Sequence, residues 1–362
     1  MNFFSKNMNK MYYLKKRSYS DIKETIKRKN KKLKKIKIVS IIAAYNEEDI
    51  IGHVLDDYIS KSIKVYFIDH HSTDNTLERA KKFKGRGVIG IETFPEESGY
   101  PSNLKDTYAW RYILKRKEEL HKKLRADWYL HMDADEIVES PWPNKTFLQA
   151  LRLVDGLGYN CINFELFNFR PIVGSYNGIN NPQDFFKYWE PDYYSEPQVK
   201  CWKNNGQKID LVSSGGHIAQ FEGQKVFPIK FVMKHYPIRS SKHGSKKIFS
   251  DRLPRYDKEE RSMHWHTQYD KYNKKDIRFD KKKLLYYDEN FVRQIYLPLI
   301  SCLSIMEDKN RIIDASEHHI QGLNKQIKSI YASPTWKIGR FATAPWRLLR
   351  NFLKNTKSGI KI

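Results

Sequence analysis

The sequence predicts an α/β fold built on a doubly wound, mostly parallel sheet flanked by helices. Two observations predict it. Short runs of β-branched and aromatic residues recur, each followed by a stretch with helical spacing. The first such run, Ile38 to Ala43, is a continuous β-branched stretch, as expected of a strand covered on both faces. Hydrophobic residues make up 40% of the 362 and aromatics 14%, enough for a sizeable core and too many for a disordered or collagen-like chain.

The elements follow in order. Ile38-Val39-Ser40-Ile41-Ile42-Ala43 is the first strand. Ile50, Ile51, Val54, Leu55, Tyr58 and Ile59 then carry one face of a helix. Residues 64–68 form the second strand, and Thr73 or Asp74 is placed to cap a helix over 75–83. Residues 88–91 are a third short strand, and Ser102 is placed to cap a helix from Asn103 to about Lys123. Residues 128–132 are the fourth strand. Right-handed crossovers put the C-terminal loops of parallel strands on one edge. Three polar clusters occupy such loops: Asn46 to Glu48, Asp69 to Asp74, and Asp133 to Glu136. They are expected to converge in one crevice.

Beyond residue 140, prolines at 141, 143, 171, 182, 191 and 197 break the chain into short aromatic-rich pieces. Residues 160–169 and 226–236 read as strands on the same sheet, and 291–303 and 312–331 as helices. The expected divisions are a basic arm at 1–37, the alternating half at 38–140, a second half at 141–285 and a helical extension at 286–362.

The net charge of +24 is concentrated at the ends. Residues 1–37 hold 14 Lys/Arg against 2 Asp/Glu, and 337–362 hold 7 Lys/Arg and no acid, leaving only +5 for the body. The arm reads as a solvated tail or as a contact for an acidic partner. The tail at 333–354 mixes Trp336, Phe341, Trp346 and Leu349 with basic residues, a composition suited to an anionic membrane surface or to the protein's own body. No apolar run reaches the ~18–20 residues that span a bilayer, and residues 1–37 lack the apolar core of a signal peptide. Cys161, Cys201 and Cys302 are odd in number and widely spaced, which excludes a disulfide scaffold and fits a reducing compartment. The expected location is cytoplasmic, with peripheral attachment to the inner face of the cell membrane.

The chemistry is concentrated in the crevice. Asp133 and Asp135 are one residue apart at a strand end, where two carboxylates can face one point and bind Mg²⁺ or Mn²⁺. The plainer reading is a pair of acids capping the next element. Asp69 and Glu47 can accept hydrogen bonds from a base or ribose, or cap the following helices. His217 and His235 can complete a metal shell or serve as satisfied structural histidines. Arg239, Lys242, His243 and Lys247 form a basic loop suited to a departing diphosphate, or a solvated basic face.

At this point a resemblance can be named. VSIIAAYNEEDIIGHVLDDYI (39–59), VYFIDHHSTDNTLERA (65–80) and WYLHMDADEIVE (128–139) resemble a family 2 glycosyltransferase with the GT-A fold. INFELFNFRP, VSSGGHIAQF and KHYPIRSSKHGSKKIFSDR, with the segment at 265–270, are similar to a bacterial branch of that family. The resemblance spans roughly 38–270. It implies an inverting, metal-assisted transfer from a nucleotide-sugar donor to a glycan or lipid-linked acceptor in cell-surface polysaccharide synthesis. It makes 38–140 the donor half and 141–285 the acceptor half. Ala44, Tyr45 and Glu47 then match the first nucleotide-contacting loop, Asp69 the base-recognising acid, and Asp133 and Asp135 the metal motif, with Asp135 as direct ligand. The family often has Asp-Asp-Gly-Ser after the second strand; here the second acid is His70. Inversion needs a carboxylate base for the acceptor hydroxyl. Glu190 is preferred, with Asp192 and Glu165 as alternatives, and Tyr188 and Trp189 as a sugar-stacking wall. The plainer reading of Glu190 is an ion pair with a local Arg or Lys.

Two other functions compete. A nucleotidyltransferase on a similar fold would offer a Gly-rich basic loop where this chain has Tyr45-Asn46-Glu47-Glu48. A nucleic-acid binder would act through the basic ends, but the nearly balanced body and the acidic crevice argue against a specific nucleic acid.

Overall fold

The computed structural model describes residues 35–302, apart from 97–98, 173–175, 192–196, 264, 266, 268–269, 271 and 273–276, together with 321, 322, 325 and 329. The basic arm to residue 34, the amphipathic tail at 333–354 and Asp192 lie outside these. The chain divides into two compact units, Met1–Pro298 and Leu299–Ile362. The described residues of the second are helical. Everything below concerns the first.

Its centre is one ten-stranded sheet. The strands are β1 (Ile38–Ala44), β2 (Ile63–Asp69), β3 (Val88–Thr93), β4 (Trp128–Asp133), β5 (Glu136–Glu139), β6 (Cys161–Arg170), β7 (Tyr188–Glu190), β8 (Gln198–Lys203), β9 (Val226–His235) and β10 (Leu285–Tyr286). Their order is β10-β7-β6-β8-β4-β1-β2-β3, with β9 pairing β5 and β6. The helices that position the site are α1 (Ile51–Ser60), α2 (Thr76–Lys81), α3 (Trp110–Lys123) and α4 (Phe147–Gly156).

β1 shows why its run, Ser40 apart, is apolar on both sides. Ile38, Ile42 and Ala44 enter one core with α1 and α4, while Val39, Ile41 and Ala43 enter a second core with α3. Successive side chains point to opposite faces, so a strand with helices on both sides has no polar face to show.

The sheet is mixed rather than mostly parallel. β1 runs parallel to β2 and β4, and β2 to β3, as expected for the first half. In the second half β8 is antiparallel to β4, and β6 is antiparallel to β7 and β8 and parallel only to β9. β7 and β8 pair successive stretches of β6, Arg170 to Asn168 and then Phe164 to Cys161, and both run against it.

Two local expectations change. The helix expected over 103–123 is a 3-10 turn, Ser102–Asp106, and then α3, with Thr107 extended between them. Tyr108 makes a bridge with Tyr256 there, so a tertiary contact interrupts the helix, and Pro101 rather than Ser102 precedes the turn. Asp74 does not cap α2 from its boundary, which is Asn75; it accepts Thr76 N at 2.9 Å instead. Cys161 and Cys201 are buried and free, and Cys302 is exposed. Among the described residues no helix is long and apolar enough to cross a membrane.

Candidate functional site

Parallel register brings the polar clusters together. Ala44 lies opposite Asp69, and Ala43 opposite Asp133, so three acidic loops leave neighbouring strands at one edge. The first two loops are stitched together. Asn46 adopts φ +55° and its Oδ1 accepts Thr73 N at 2.8 Å, while Glu47 N donates to Thr76 Oγ1 at 2.8 Å. Glu48 acts as a local cap, accepting from Asn75 Nδ2 at 2.8 Å.

Glu47 is turned inward onto two cations. Arg239 Nη2 reaches it at 2.6 Å and Lys247 Nζ at 2.7 Å. Arg239, fully buried, also forks onto Asp49 through Nε at 2.8 Å and Nη2 at 2.7 Å. Glu47, Asp49 and His243 offer donor atoms close enough for a metal ion, but here Glu47 and Asp49 hold the Arg239 guanidinium, and His243 Nδ1 accepts from Arg239 N at 3.2 Å. Lys247 bridges to Asp135 Oδ2 at 2.8 Å, with Arg239 Nη1 at 4.0 Å. Burial opposes ionisation of Asp135, but Lys247, His235 and Arg239 outweigh it and hold the carboxyl well below its usual range.

The turn after β4 separates the two acids. The Asp133 side chain is 34% exposed and that of Asp135 5%. Glu136 closes the turn, accepting Asp133 N at 3.0 Å, and Lys200 on β8 neutralises Glu136 at 2.8 Å and stands 3.7 Å from Asp133. Burial works against a charged Asp133, but Lys200 and Lys117 together pull its carboxyl below the usual range.

His235 completes a row across the sheet. It lies opposite Glu136 on β5 and Asn168 on β6, and Asn168 lies opposite Glu190 on β7. Its Nδ1 meets Asn168 Oδ1 at 2.7 Å, and its Nε2 stands 3.5 Å from Asp135 Oδ1. In the tautomer with its hydrogen on Nδ1, Asn168 Oδ1 accepts that hydrogen and Nε2 presents a lone pair beside Asp135 Oδ1, a pairing that would suit a cation. Adjacent ligands on Mg²⁺ or Mn²⁺ stand about 3 Å apart, given bonds of about 2.1 Å. Asp135 and His235 therefore fit a divalent ion after a small shift, and the Asn168 bond is the outer-shell contact that orients such a histidine.

Asp69 and His70 form a separate buried pair. Asp69 Oδ2 accepts Ser72 N at 3.0 Å, while Oδ1 is buried without a hydrogen-bond partner, and burial pushes the carboxyl up. His70 Nε2 contacts Leu104 O at 3.0 Å, and its ring packs edge-on to Phe94 and Tyr45. Burial pushes His70 down to about 4, so it is neutral near pH 7. Arg255 lies over the Tyr45 ring, 3.8 Å from its centre.

Of the residues singled out in the sequence, Ala44, Tyr45, Glu47, Asp69, Asp133, Asp135, His235 and Arg239 fall at this edge, and Glu190 lies in the His235 row. Glu190 is half-buried, and Arg170 grips its Oε2 at 2.8 and 2.7 Å. Others are placed differently. Glu165 is buried on the opposite face of β6, bonded to Lys230 at 2.8 Å and Tyr296 at 3.0 Å. His217 Nδ1 contacts Gln198 Nε2 at 3.0 Å. Lys242 is exposed, whereas Lys247 is buried against the acids. Asp49, Glu136, Asn168 and Lys200 were not among the sequence candidates. A lysine inside the apolar strand Gln198–Lys203 was the available signal for Lys200. Asn168 carried none beyond its place in an alternating run.

No protein-family model matches the chain, and no curated protein does. Among solved structures, S. aureus TarS is similar over 59% of this chain and 40% of its own, at 16% identity and a TM-score of 0.34. S. aureus TarS 1-349 in complex with UDP is similar over 58% of this chain and 64% of its own, at 17% identity and a TM-score of 0.34. Glucosyl-3-phosphoglycerate synthase from Mycobacterium tuberculosis in complex with Mg²⁺ and uridine-diphosphate is similar over 36% of this chain and 44% of its own, at 22% identity and a TM-score of 0.24. The chain spans less than two thirds of the length of each of these structures.

Proposed function

We propose that the chain is an inverting, divalent-metal-dependent glycosyltransferase of the GT-A kind. It moves a sugar from a nucleotide-sugar donor to a glycan or lipid-linked acceptor in cell-surface polysaccharide synthesis at the cytoplasmic face of the membrane. The observation that carries this reading is the row His235–Asn168–Glu190, with Asp135 Oδ1 3.5 Å from His235 Nε2, which supports a metal pair and a base beside one another. β9 and β7 flank β6, so their backbones stand about 10 Å apart, room for a sugar between them.

In this reading residues 38–140 bind the donor and 141–285 the acceptor. Asp69 Oδ1 accepts a hydrogen bond from the base, and Tyr45 and Arg255 border it. Asp135 and His235, with Asp133 beside them, hold Mg²⁺ or Mn²⁺, which when bound neutralises diphosphate charge. Lys247 and Arg239 supply cations on the diphosphate side. Glu190 takes the proton of the acceptor hydroxyl. The acceptor oxygen bonds to the anomeric carbon from the face opposite the diphosphate. The bond from that carbon to the diphosphate breaks, and its electron pair stays on the phosphate oxygen.

Melting curves of the full chain with a panel of nucleotide sugars and Mn²⁺ test this. At least one should raise the midpoint with Mn²⁺ present and not without it, and His235→Ala should erase that difference. No response to any nucleotide sugar would remove the proposal.

A further inference from the structure

We infer that Lys200 and Glu136 are positioning residues for the divalent ion: their buried pair fixes the turn after β4 so that Asp135, and not Asp133, presents its carboxylate to His235. This role rests on the metal-dependent reading above and adds what selects the ligand. Both partners are buried, and they lie 64 positions apart in the chain. Glu136 uses its two oxygens separately. Oε2 accepts Asp133 N at 3.0 Å and closes the turn, while Oε1 accepts Lys200 Nζ at 2.8 Å.

Lys200 belongs to β8, the neighbour of β4, so the bond ties the turn to the strand beside the one it leaves. Glu136 also lies directly opposite His235 in the β5–β9 ladder, and opposed residues share a face of the sheet. The remaining anchors place Asp135. Its carbonyl oxygen accepts Tyr236 N at 3.0 Å, and Ala134, between the two acids, is buried in the core. With Asp133 N held by Glu136 and Asp135 O held by Tyr236, the two carboxylates part. That of Asp133 stays 3.7 Å from Lys200, and that of Asp135 stands 3.5 Å from His235 Nε2.

A buried carboxylate is costly without a counter-charge. Glu136 therefore stays at Asp133 N only while Lys200 holds it, and the lysine governs the turn through the glutamate. A pair that served stability alone could be exchanged for apolar side chains of similar volume with no effect on the metal.

That exchange is the test. Lys200→Met with Glu136→Leu removes one charge of each sign, so the net charge beside the acids is unchanged. Mn²⁺ affinity of the full chain, read by electron paramagnetic resonance without any donor, should fall about 10–100-fold, as outer-shell losses do. The urea midpoint should hold. In the parent, Asp135→Asn should cost about tenfold more Mn²⁺ affinity than Asp133→Asn, and in the exchanged background the two costs should come within about threefold of one another. If the exchanged protein does not fold, Glu136→Leu alone, which leaves Lys200 beside Asp133, gives the same comparison of costs. An exchanged protein that folds and binds Mn²⁺ as the parent does would overturn the inference and leave the metal reading standing. So would two costs that keep their difference. A parent that binds no Mn²⁺ would remove both.

Discussion

The Nε2 atom of His235 stands 3.5 Å from Oδ1 of Asp135. His235 Nδ1 is 2.7 Å from Asn168 Oδ1 on the next strand, so the ring is held with Nε2 toward the acid. Asn168→Leu removes that restraint and leaves both ligands in place. Mn²⁺ affinity, read by electron paramagnetic resonance, should fall about 10–100-fold, as outer-shell losses do. Unchanged affinity would mean that His235 is not a ligand.

Glu190 has one oxygen on Arg170 and lies in the same row. Glu190→Gln keeps an acceptor for Arg170 and removes the base. The turnover number should fall about 10²–10⁴-fold, while donor affinity measured by calorimetry stays within about threefold. An unchanged turnover number would return Glu190 to a structural ion pair.

Arg239 is buried among Glu47, Asp49 and Asp135. Arg239→Met strands those charges, and breaking a buried pair from one side costs about 3–5 kcal/mol. The urea midpoint should drop accordingly. Glu47→Gln in the same chain should recover part of the loss.

Acid should weaken the fold before its carboxylates titrate. Burial holds His70 and His121 down to about 4 from an ordinary 6.5. Between those values the unfolded chain binds more protons than the folded one, so stability falls as pH drops. Each group contributes a loss of about 2 kcal/mol at pH 5. Asp57 and Asp69, raised by burial, work in the opposite direction nearer their own range. His121→Phe removes one of these groups with little else lost, since both its ring nitrogens are buried without partners beside Tyr129 and Trp202. Urea midpoints at pH 7.5 and 5.0 should differ less in this variant than in the parent.

The parallel half of the fold was legible because its physics is local. β1 shows two buried faces in its own residues, and register carries Asp69 and Asp133 to its end. The second half was not, because short pieces such as Tyr188–Glu190 take their direction from partners far along the chain. The same holds within the site. The spacing of Asp133 and Asp135 points to paired acids, but that Asp135 faces Lys247, 112 positions away, is a property of the packed molecule. Asn168 could be found only once β6 and β9 were in register. Tyr108 broke a helix that its own neighbours favour, through a contact with Tyr256.

The central claim is that the crevice at Asp135 turns over a nucleotide sugar with a divalent ion. Nucleoside diphosphate release from each member of a donor panel, with Mn²⁺ or with chelator, tests it most directly in the parent and in Asp135→Asn. One donor should be turned over only with the metal, and the variant should lose at least about 100-fold. Turnover in Asp135→Asn equal to the parent, or none from any donor with Mn²⁺ present, would contradict it.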